Sequence, residues 1–438
     1  MIKKTMATFA FMMALFLLVS CGPAMQAFSG FQSSPATSQT AESLNFRITW
    51  ESYSGRGEAI QKIVDSYNTE NTSGLSVSMI SGDEDLAAIE TILQAPNPHT
   101  VFVLPYRYVK YFGAKGYLAD QTNSFANEKK LFYPALWELG TVDDAVYGIP
   151  WLGHSMCLLY NKTLLNETGF NPESIKSLDS WVAAMDAVEA KTGAKGVGLV
   201  GAESNDISWM VNQFVYGFGS ALVDNTGMKV AVNNDKAKAA IEFYRDTLGE
   251  LAQPTWKDDT GSEVMSQFLN QKVAFEFQGI WGVTDIEKNG SPFEVGIIPL
   301  SNIGLCSEVG PMMLAFPAKM SEEYKRAAID FINYMISIPA QDQIMDGEYS
   351  PEHDIYYPFR TPIRLDMADS EFFTSNPKYV SFLSGFENPS IDVPVPAWQT
   401  VKDRIYAPGL HRVMVGELTV DDFLSDVETE GNKLLSAG

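Results

Sequence analysis

Hydrophobic and polar positions follow two alternating periods along most of the chain. Short apolar runs such as "FRITW", "LSVSMI" and "VFVL" are typical of strands. After the first of these runs, "GEAIQKIVDSYNTEN" places Ile60, Ile63, Val64 and Tyr67 on one helical face. Because strands and helices alternate at this density, the pattern predicts an α/β protein with mostly parallel sheets.

Two later segments also have the period of amphipathic helices, and a third has a helix start signal. "KAKAAIEFYRDTLGEL" and "EEYKRAAIDFINYMI" each place apolar residues on one helical stripe, which we expect to face a core. In "LTVDDFL", Thr419 and Asp422 have the spacing of a capping box. The two stripes contain Ile241, Tyr244, Leu248 and Leu251, and Tyr324, Ala327, Ala328, Phe331 and Met335.

The first 20 residues have the composition of a secretory signal peptide. Lys3 and Lys4 precede the apolar run "FAFMMALFLLV", and the segment contains no acid. The run is too short to span a membrane comfortably as a helix. It ends in "LVSC", so Cys21 matches the bacterial lipobox cysteine that becomes the lipidated first residue of a mature protein. A chance cysteine after an ordinary signal peptide is the alternative.

Residues 21–43 are rich in Ser, Thr, Ala, Gln and Pro, which predicts a flexible tether. We therefore expect an extracytoplasmic protein that is lipid-anchored to a bacterial membrane, on the periplasmic or cell-surface side. Removal of residues 1–20 takes away two lysines and no acid, so the formal charge changes from −23 to −25. Such a surface repels nucleic acid and anionic lipid, and it favours solubility.

Few residues indicate catalysis or metal binding. Four scattered histidines show no metal-site spacing, and neither a metal nor another cofactor is expected. "GHSMC" begins like a nucleophile elbow, but it lacks the second glycine and precedes a strand-like run, so Ser155 is not expected to be a nucleophile. Cys157 and Cys306 are the cysteines besides Cys21, and their spacing alone does not show whether they form a disulfide.

Aromatic residues are frequent at the ends of predicted elements, which indicates carbohydrate binding. A pyranose has an apolar C–H face that an aromatic ring can cover, and a rim of hydroxyl groups that Asp, Glu, Asn, His and Arg can bind. In "AFEFQGIWGV", Trp281 lies between two glycine-containing turns, where either a ligand or the core would cover its ring. The aromatic residues concerned are Trp50, Tyr53, Tyr106, Trp151, Trp209, Trp281 and Trp398.

Several ordered motifs resemble those of the family 1 extracellular solute-binding proteins of bacterial ABC importers, the group that includes the maltose-binding protein. They are "YGIPW" and "LLYNKTLLNETGF", then "LDSWVAAM", "MSQFLNQKVAFEFQGIW" with "FEVGIIPL", "AAIDFINYMISIPAQ", and finally "PVPAWQTV" with "VGELTVDDFLSDVETEGNKLL". The similarity covers nearly all of the chain from about Leu44. Each motif is weak alone, but their order behind a lipobox is specific.

The resemblance implies a two-lobed periplasmic-binding-protein-like fold of type II, with a ligand cleft between lobes joined by hinge strands. Lobe 1 would consist of residues 44–153 and 312–349, and lobe 2 of residues 154–311 and 350–438. "SMCLLY" would be one crossing strand and "PMMLAF" the return. Cys157 and Cys306 would both lie near these crossings, where a disulfide between them is an open alternative.

The resemblance also implies a set of ligand-binding residues. Trp281 falls where the family commonly has a sugar-stacking aromatic residue, and His154 lies where the maltose binder has a carboxylate, which leaves the identity of the sugar open. Arg107 and Arg360 have the surface ion pair as the alternative. The full predicted set is Tyr53, Tyr106, Arg107, His154, Asn205, Trp209, Trp281, Arg360 and Trp398.

The expected function is a non-catalytic, monomeric receptor that captures an oligosaccharide or glycoside by lobe closure and delivers it to an ABC permease. A closer alternative keeps the receptor role but changes the ligand to a glycerol phosphodiester or another anion, which arginines in the cleft would favour. An exported carbohydrate-active enzyme is the alternative from another class. It would need two carboxylates about 5–10 Å apart across the scissile bond, and the sequence nominates no such pair.

Overall fold

The computed structural model describes residues 43–52, 54–72 and 74–436, and its strands form two main sheets. In chain order the strands are β1 Ser43–Ile48, β2 Ser76–Ser81, β3 Thr100–Pro105, β4 Thr141–Val142, β5 Ala145–Val146, β6 Ile149–Gly153, β7 Cys157–Asn161, β8 Lys195–Val197, β9 Val273–Gln278, β10 Val295–Pro299, β11 Ser307–Glu308, β12 Met312–Ala315, β13 Glu348–Ser350, β14 Ile355–Tyr357, β15 Thr361–Pro362 and β16 Pro389–Ser390. The six-stranded sheet has the order β15-β6-β12-β3-β1-β2, and the four-stranded sheet has the order β10-β7-β9-β8.

Helices surround both sheets. In chain order they are α1 Gly55–Glu70, α2 Leu86–Leu93, α3 Tyr106–Ala114, α4 Pro134–Glu138, α5 Lys162–Thr168, α6 Leu178–Thr192, α7 Asn205–Gly217, α8 Asp235–Glu242, α9 Gly249–Leu251, α10 Gly261–Leu269, α11 Ile280–Lys288, α12 Glu322–Met335, α13 Ile338–Asp346, α14 Glu371–Ser375, α15 Val380–Ser384, α16 Pro396–Val401, α17 Ala407–Val415 and α18 Val420–Leu435. Within the described residues, no helix combines the length and the apolar character needed to cross a membrane.

The amphipathic segments fold as the sequence pattern predicts. Ile60, Ile63 and Val64 of α1 are buried, as is the apolar stripe of α12 apart from Tyr324, which is half-buried. The stripe predicted from "KAKAAIEFYRDTLGEL" is buried too, but there α8 continues as a π-helical turn over Phe243–Leu248. The N-cap of α18 is also confirmed, because the Thr419 side chain accepts a hydrogen bond from the backbone N–H of Asp422 at 3.1 Å.

The prediction of mostly parallel sheets is wrong. β1 pairs in parallel with β2 and β3, and β8 with β9, but the remaining pairings of the two main sheets are antiparallel. The antiparallel strands include β6, β7 and β12, which flank the connections between the two sheets. A strand that enters a sheet from the other sheet is not part of a βαβ unit, so it need not be parallel to its neighbour. The local pattern of apolar residues is the same for parallel and antiparallel strands of this kind.

Each main sheet has its own hydrophobic core. Phe46 of β1 contacts Trp151 and Phe331 edge to face, with centroid distances of 5.7 and 5.0 Å, in the core of the six-stranded sheet. In the core of the four-stranded sheet, Trp181 contacts Phe277 in the same way at 5.5 Å. Rings arranged edge to face contribute about 0.5–1.5 kcal/mol beyond the area that they bury. Separate cores for the two sheets are the packing expected of a two-lobed α/β protein. A third hydrophobic cluster includes Leu159 of β7, Val273 of β9 and Phe382.

Two segments carry the chain from one main sheet to the other, residues 154–156 and residues 300–311, and they contact each other. Residues 154–156 connect β6 to β7, and Ser155 forms an antiparallel bridge with Val309, which precedes β12 on the return. The Ser155 side chain is buried and donates to the carbonyl oxygen of Phe382, so it has the role of a structural hydroxyl. Cys157 and Cys306 are both free thiols, so the alternative of a disulfide between them is not realised.

Candidate functional site

A cleft of about 540 Å³ lies beside the connections between the two sheets. Its walls come from segments that follow strands of the six-stranded sheet, from the connections themselves, and from helices that pack on the four-stranded sheet. The lining residues are Thr49, Trp50, Glu84, Pro105, Tyr106, Arg107, His154, Asn205, Trp209, Glu308, Val309, Gly310, Pro311, Met312, Arg360, Asp392, Val393, Gln399 and Lys402.

The wall nearest the six-stranded sheet is built at the carboxyl ends of its parallel strands. Trp50 follows β1, Glu84 follows β2, and Tyr106 with Arg107 opens α3 directly after β3. In open α/β sheets, ligands bind outside these strand ends. Arg107 donates from Nη2 to Glu84 Oε2 at 3.0 Å, which joins the ends of two of these segments.

The connections between the sheets contribute a histidine–carboxylate pair. His154 Nε2 lies 2.7 Å from Glu308 Oε2, and Glu308 is buried. Gly310 gives the imidazole its space, because a Cβ at that position would lie 2.3 Å from His154 Cε1. The pair therefore joins the outgoing connection to the returning one, and it does so on the surface of the cleft.

The wall nearest the four-stranded sheet contains a buried carboxylate with three donors. Asp392 accepts hydrogen bonds from Trp209 Nε1 at 2.8 Å, Asn212 Nδ2 at 2.8 Å and Lys402 Nζ at 2.6 Å. Burial raises the pKa of Asp392, and the charge of Lys402 opposes this rise. The network fixes the indole of Trp209, which faces the cleft from α7.

Lys402 starts a π-helical segment, Lys402–Tyr406, between α16 and α17. Single π-helical turns occur frequently at functional sites. The Lys402 ammonium also lies 5.6 Å from the ring centroid of Trp209. We call the pairs Arg107–Glu84, His154–Glu308 and Lys402–Asp392 the three cleft ion pairs.

Trp281 and Arg360 form a second aromatic group near the cleft. Trp281 is the second residue of α11, so the expectation that it lies in a turn is corrected. Its ring folds back over Gly279, where an added Cβ would lie 2.2 Å from ring carbon Cζ3. The ring contacts His154 edge to face at 5.5 Å between centroids, and Arg360 Cζ lies 5.8 Å from the indole centroid.

Most of the residues that the sequence nominates are brought together. Those that line the cleft are Tyr106, Arg107, His154, Asn205, Trp209 and Arg360. Trp281 is half-buried and does not line the cleft. It packs against two hydrophobic clusters and contacts His154 and Arg360, which do line the cleft. Tyr53 and Cys21 lie outside the described residues.

The prediction for Trp398 is wrong. Its side chain is fully buried and packs against Tyr406 at 5.8 Å between ring centroids. On α16 the neighbouring Gln399 faces the cleft instead. Side chains at consecutive helical positions point about 100° apart. Trp398 therefore lies in the core, whereas Gln399 lies on the cleft side.

Several residues of the cleft were not nominated from the sequence. Four of them are charged: Glu84 lies in a loop, Glu308 ends β11, Asp392 follows β16, and Lys402 starts a π-helical segment. Glu84 has one sequence signal, because it follows an apolar strand at the edge where ligands bind in α/β sheets. Asp392 and Lys402 have none, since they lie in a segment that returns to the cleft from far along the chain. Among the described residues, no group of three or more His, Cys, Asp or Glu side chains could hold a metal ion.

The fold and the cleft define a class of protein: a two-lobed binding protein with a candidate ligand site beside the connections between its sheets. Comparison with known proteins agrees with this class. Residues 62–380 match the family described as "Bacterial extracellular solute-binding protein". The chain belongs to this family, which confirms the resemblance found in its motifs.

Individual relatives show the same relation at low identity. The multiple sugar-binding protein of Streptococcus mutans is 23% identical over 346 residues, which cover 72% of this chain and 77% of that protein. The sugar-binding protein MalE from Xanthomonas citri is 18% identical with a TM-score of 0.75, over 90% of this chain and 98% of its own. UgpB from Mycobacterium tuberculosis, solved in complex with glycerophosphocholine, is 18% identical with a TM-score of 0.68, over 90% and 98% of the two chains. These structures confirm the two-lobed α/β fold.

Proposed function

We propose that this protein is the substrate-binding lipoprotein of an ABC importer, which captures an oligosaccharide or a glycoside and delivers it to the permease. The observation that carries the proposal is the cleft, where aromatic rings lie beside hydrogen-bonding side chains. Tyr106, Trp209 and Trp50 present rings, and the three cleft ion pairs present polar groups at their edges. This combination suits the apolar face and the hydroxyl rim of a sugar.

The dimensions of the cleft and the names of relatives support the same ligand class. A volume of about 540 Å³ lies in the usual range for small-molecule sites, roughly 300–1,000 Å³. The relatives in Streptococcus mutans and Xanthomonas citri are both described as sugar-binding proteins. UgpB binds a glycerol phosphodiester on the same fold, so the fold alone does not choose the ligand.

Capture would follow from closure of two lobes about the connecting segments. We place the first lobe at residues 44–153 with 312–362, and the second at residues 154–311 with 363–438. The boundary moves from the expected 349 to a point after Pro362, because β15 pairs with β6 in the six-stranded sheet. With this division, Tyr106 and Arg107 would line the cleft from the first lobe, and Asn205 and Trp209 from the second.

A screen by thermal unfolding tests the proposal. Purified protein without residues 1–42 would be heated with mono-, di- and oligosaccharides and with glycerophosphocholine. A ligand that binds only the folded state raises the melting temperature by mass action, with about 2.7 kcal/mol of stabilisation at a hundredfold excess over Kd. We expect a rise with at least one sugar. If no sugar produces a rise, the proposed ligand class is wrong.

The same samples separate a receptor from an enzyme. Each carboxylate of the cleft that could act in glycoside hydrolysis is already in a cleft ion pair, which favours a binding role. We expect the bound sugar to be recovered unchanged by chromatography after prolonged incubation. A hydrolysed or transferred product would instead favour the carbohydrate-active enzyme.

The membrane anchor is a separate part of the proposal. Cys21 would carry the lipid, and residues 22–43 would hold the lobes away from the membrane. We expect Cys21→Ser to leave the precursor unprocessed or to release the protein from the membrane fraction. A Cys21→Ser protein that still fractionates with the membrane in a detergent-dependent manner would contradict lipidation at this residue.

A further inference from the structure

One cation of the cleft differs from the three cleft ion pairs. The guanidinium of Arg360 forms no ion pair with a described carboxylate, and its hydrogen bond within the described residues runs from Nη1 to the carbonyl oxygen of Phe359 at 2.9 Å. A guanidinium has five N–H donors in a fixed planar arrangement. Most donors of Arg360 are therefore left for a ligand or for water on the cleft side.

Two indole rings position this guanidinium. Its Cζ atom lies 5.7 Å from the ring centroid of Trp50 and 5.8 Å from that of Trp281. Trp50 follows β1 of the six-stranded sheet, whereas Trp281 lies in the first turn of α11, which follows β9 of the four-stranded sheet. Cation–π contacts stabilise a positive charge through the ring faces without using its N–H donors. Arg360 is thus held in place while its donors stay free.

The charge of Arg360 is also only partly compensated. Burial, and to a lesser extent the nearby charge of Arg56, lower the pKa of Arg360 to about 10. The group still carries its proton at neutral pH. Glu84 and Glu308 attract it from a distance, but both carboxylates are already bound in cleft ion pairs. A desolvated cation without an acidic partner is unfavourable, and an oxyanion on the ligand would supply that partner.

We propose that the ligand carries an oxyanion group, a carboxylate or a phosphate, and that Arg360 binds this group through paired N–H donors. Such bidentate contacts are among the strongest hydrogen bonds that proteins form. The inference rests on the proposed receptor function and narrows its substrate class. The hydroxyl-bearing remainder of the ligand would lie against Trp209 and Tyr106. Uronic-acid oligosaccharides carry the group as a carboxylate, and sugar or glycerol phosphates carry it as a phosphate.

Titration calorimetry with matched probes tests this proposal. The pairs are trigalacturonate with galactotriose and glucose 6-phosphate with glucose, and glycerophosphocholine and inorganic phosphate are added as separate probes. We expect wild-type protein to bind one acidic probe at least about tenfold more tightly than its neutral counterpart. The pair that shows the preference identifies carboxylate or phosphate as the source. This preference should weaken as salt concentration rises.

Variants at Arg360 connect the preference to the side chain. We expect Arg360→Gln to weaken binding of the acidic probe by about tenfold to a hundredfold and to leave the neutral probe nearly unchanged. Arg360→Lys keeps the positive charge but lacks the planar guanidinium, so it should retain part of the preference for the acidic probe. It replaces Arg360→Gln in the experiment if the glutamine variant does not fold. Arg245→Gln is the matched control, because Arg245 lies outside the cleft and is paired with Asp246 at 2.6 Å.

The outcomes separate this inference from the function on which it rests. If a neutral sugar binds as tightly as its acidic counterpart, or if Arg360→Gln weakens both equally, the inference is wrong and the sugar receptor stands. If glycerophosphocholine or phosphate binds through Arg360 but no sugar does, the inference stands and the sugar assignment fails. If no probe binds to wild-type protein, both are contradicted.

Discussion

Trp281 shows how one side chain can serve a site that it does not line. Its indole contacts His154 and lies 5.8 Å from Arg360 Cζ, so it orients two groups of the cleft. We expect Trp281→Ala to weaken ligand binding by roughly tenfold, since cation–π and ring contacts contribute about 1–2 kcal/mol. Isothermal titration with a ligand from the screen measures this loss. Unchanged affinity together with a large loss of stability would make Trp281 a core residue only.

Glu276 is a second residue whose environment leads to a prediction. It lies in β9 and is fully buried. Burial raises the pKa of Glu276 well above its ordinary value, and the opposing effect of the hydrogen bond with Gln278 is smaller. The folded state therefore keeps a proton that the unfolded chain releases above about pH 4.3. Folding stability falls as pH rises through this window. Glu276→Gln cannot ionise, and we expect it to be more stable than wild type at pH 8.

The pH dependence distinguishes this effect from a change in packing. Urea unfolding at pH 4 and at pH 8 gives the free energy of unfolding of both proteins. The advantage of Glu276→Gln should shrink towards pH 4, where the unfolded wild-type carboxyl is also protonated. A difference that stays constant over this range would show that Glu276 does not titrate on unfolding.

Single residues also show how far the sequence predicts the site. Residues beside strong strand signals, such as Tyr106 and His154, do line the cleft, and their contact with a ligand stays a prediction. Trp398 is not, because an aromatic residue near the start of a helix has the same local pattern whether it faces a core or a ligand. Tertiary packing decides between these two positions, and it depends on residues far away in the chain.

At the scale of elements, the amphipathic helices could be predicted because each one carries its own period and its own cap. Strand direction could not, since it depends on which sheet a strand joins after a connection. β6 and β7 are separated by only three residues, yet they belong to different sheets. The bridge between Ser155 and Val309 marks this connection, and no periodicity in the sequence records it.

The connection also carries a glycine whose role can be tested. In Gly310→Ala the new Cβ would lie 2.3 Å from His154 Cε1, so the imidazole has to shift, and we expect the shift to disturb its 2.7 Å contact with Glu308. We expect ligand affinity to fall by about tenfold, which corresponds to the loss of one charge-assisted hydrogen bond. Calorimetry on Gly310→Ala, His154→Ala and the double variant measures the coupling. If Gly310→Ala has the same effect without His154, the glycine acts through the backbone instead.

At the scale of the whole molecule, the two sheets have separate cores, and short segments carry the chain between them. Large domain motions in binding proteins occur at such connections, where a few residues absorb the change in backbone angles. The cleft groups come from both sides of the connections, so a ligand that contacts both sides favours the closed arrangement by its differential affinity. We therefore expect a lower radius of gyration by small-angle X-ray scattering when ligand is bound.

Two ligands, one that binds and one that does not, separate lobe closure from other effects on the scattering curve. The ligand that raises the melting temperature most would be compared with a sugar that leaves it unchanged, at equal concentration. Lower radius of gyration with the first ligand only would indicate closure, because both samples contain the same solvent and the same protein. Trp209→Ala removes an aromatic contact on one side of the cleft, so it should need more ligand to reach the same compaction. A tight ligand that leaves the scattering curve unchanged would contradict closure. The permease would then have to recognise the bound ligand itself, because the shape of the protein would not change.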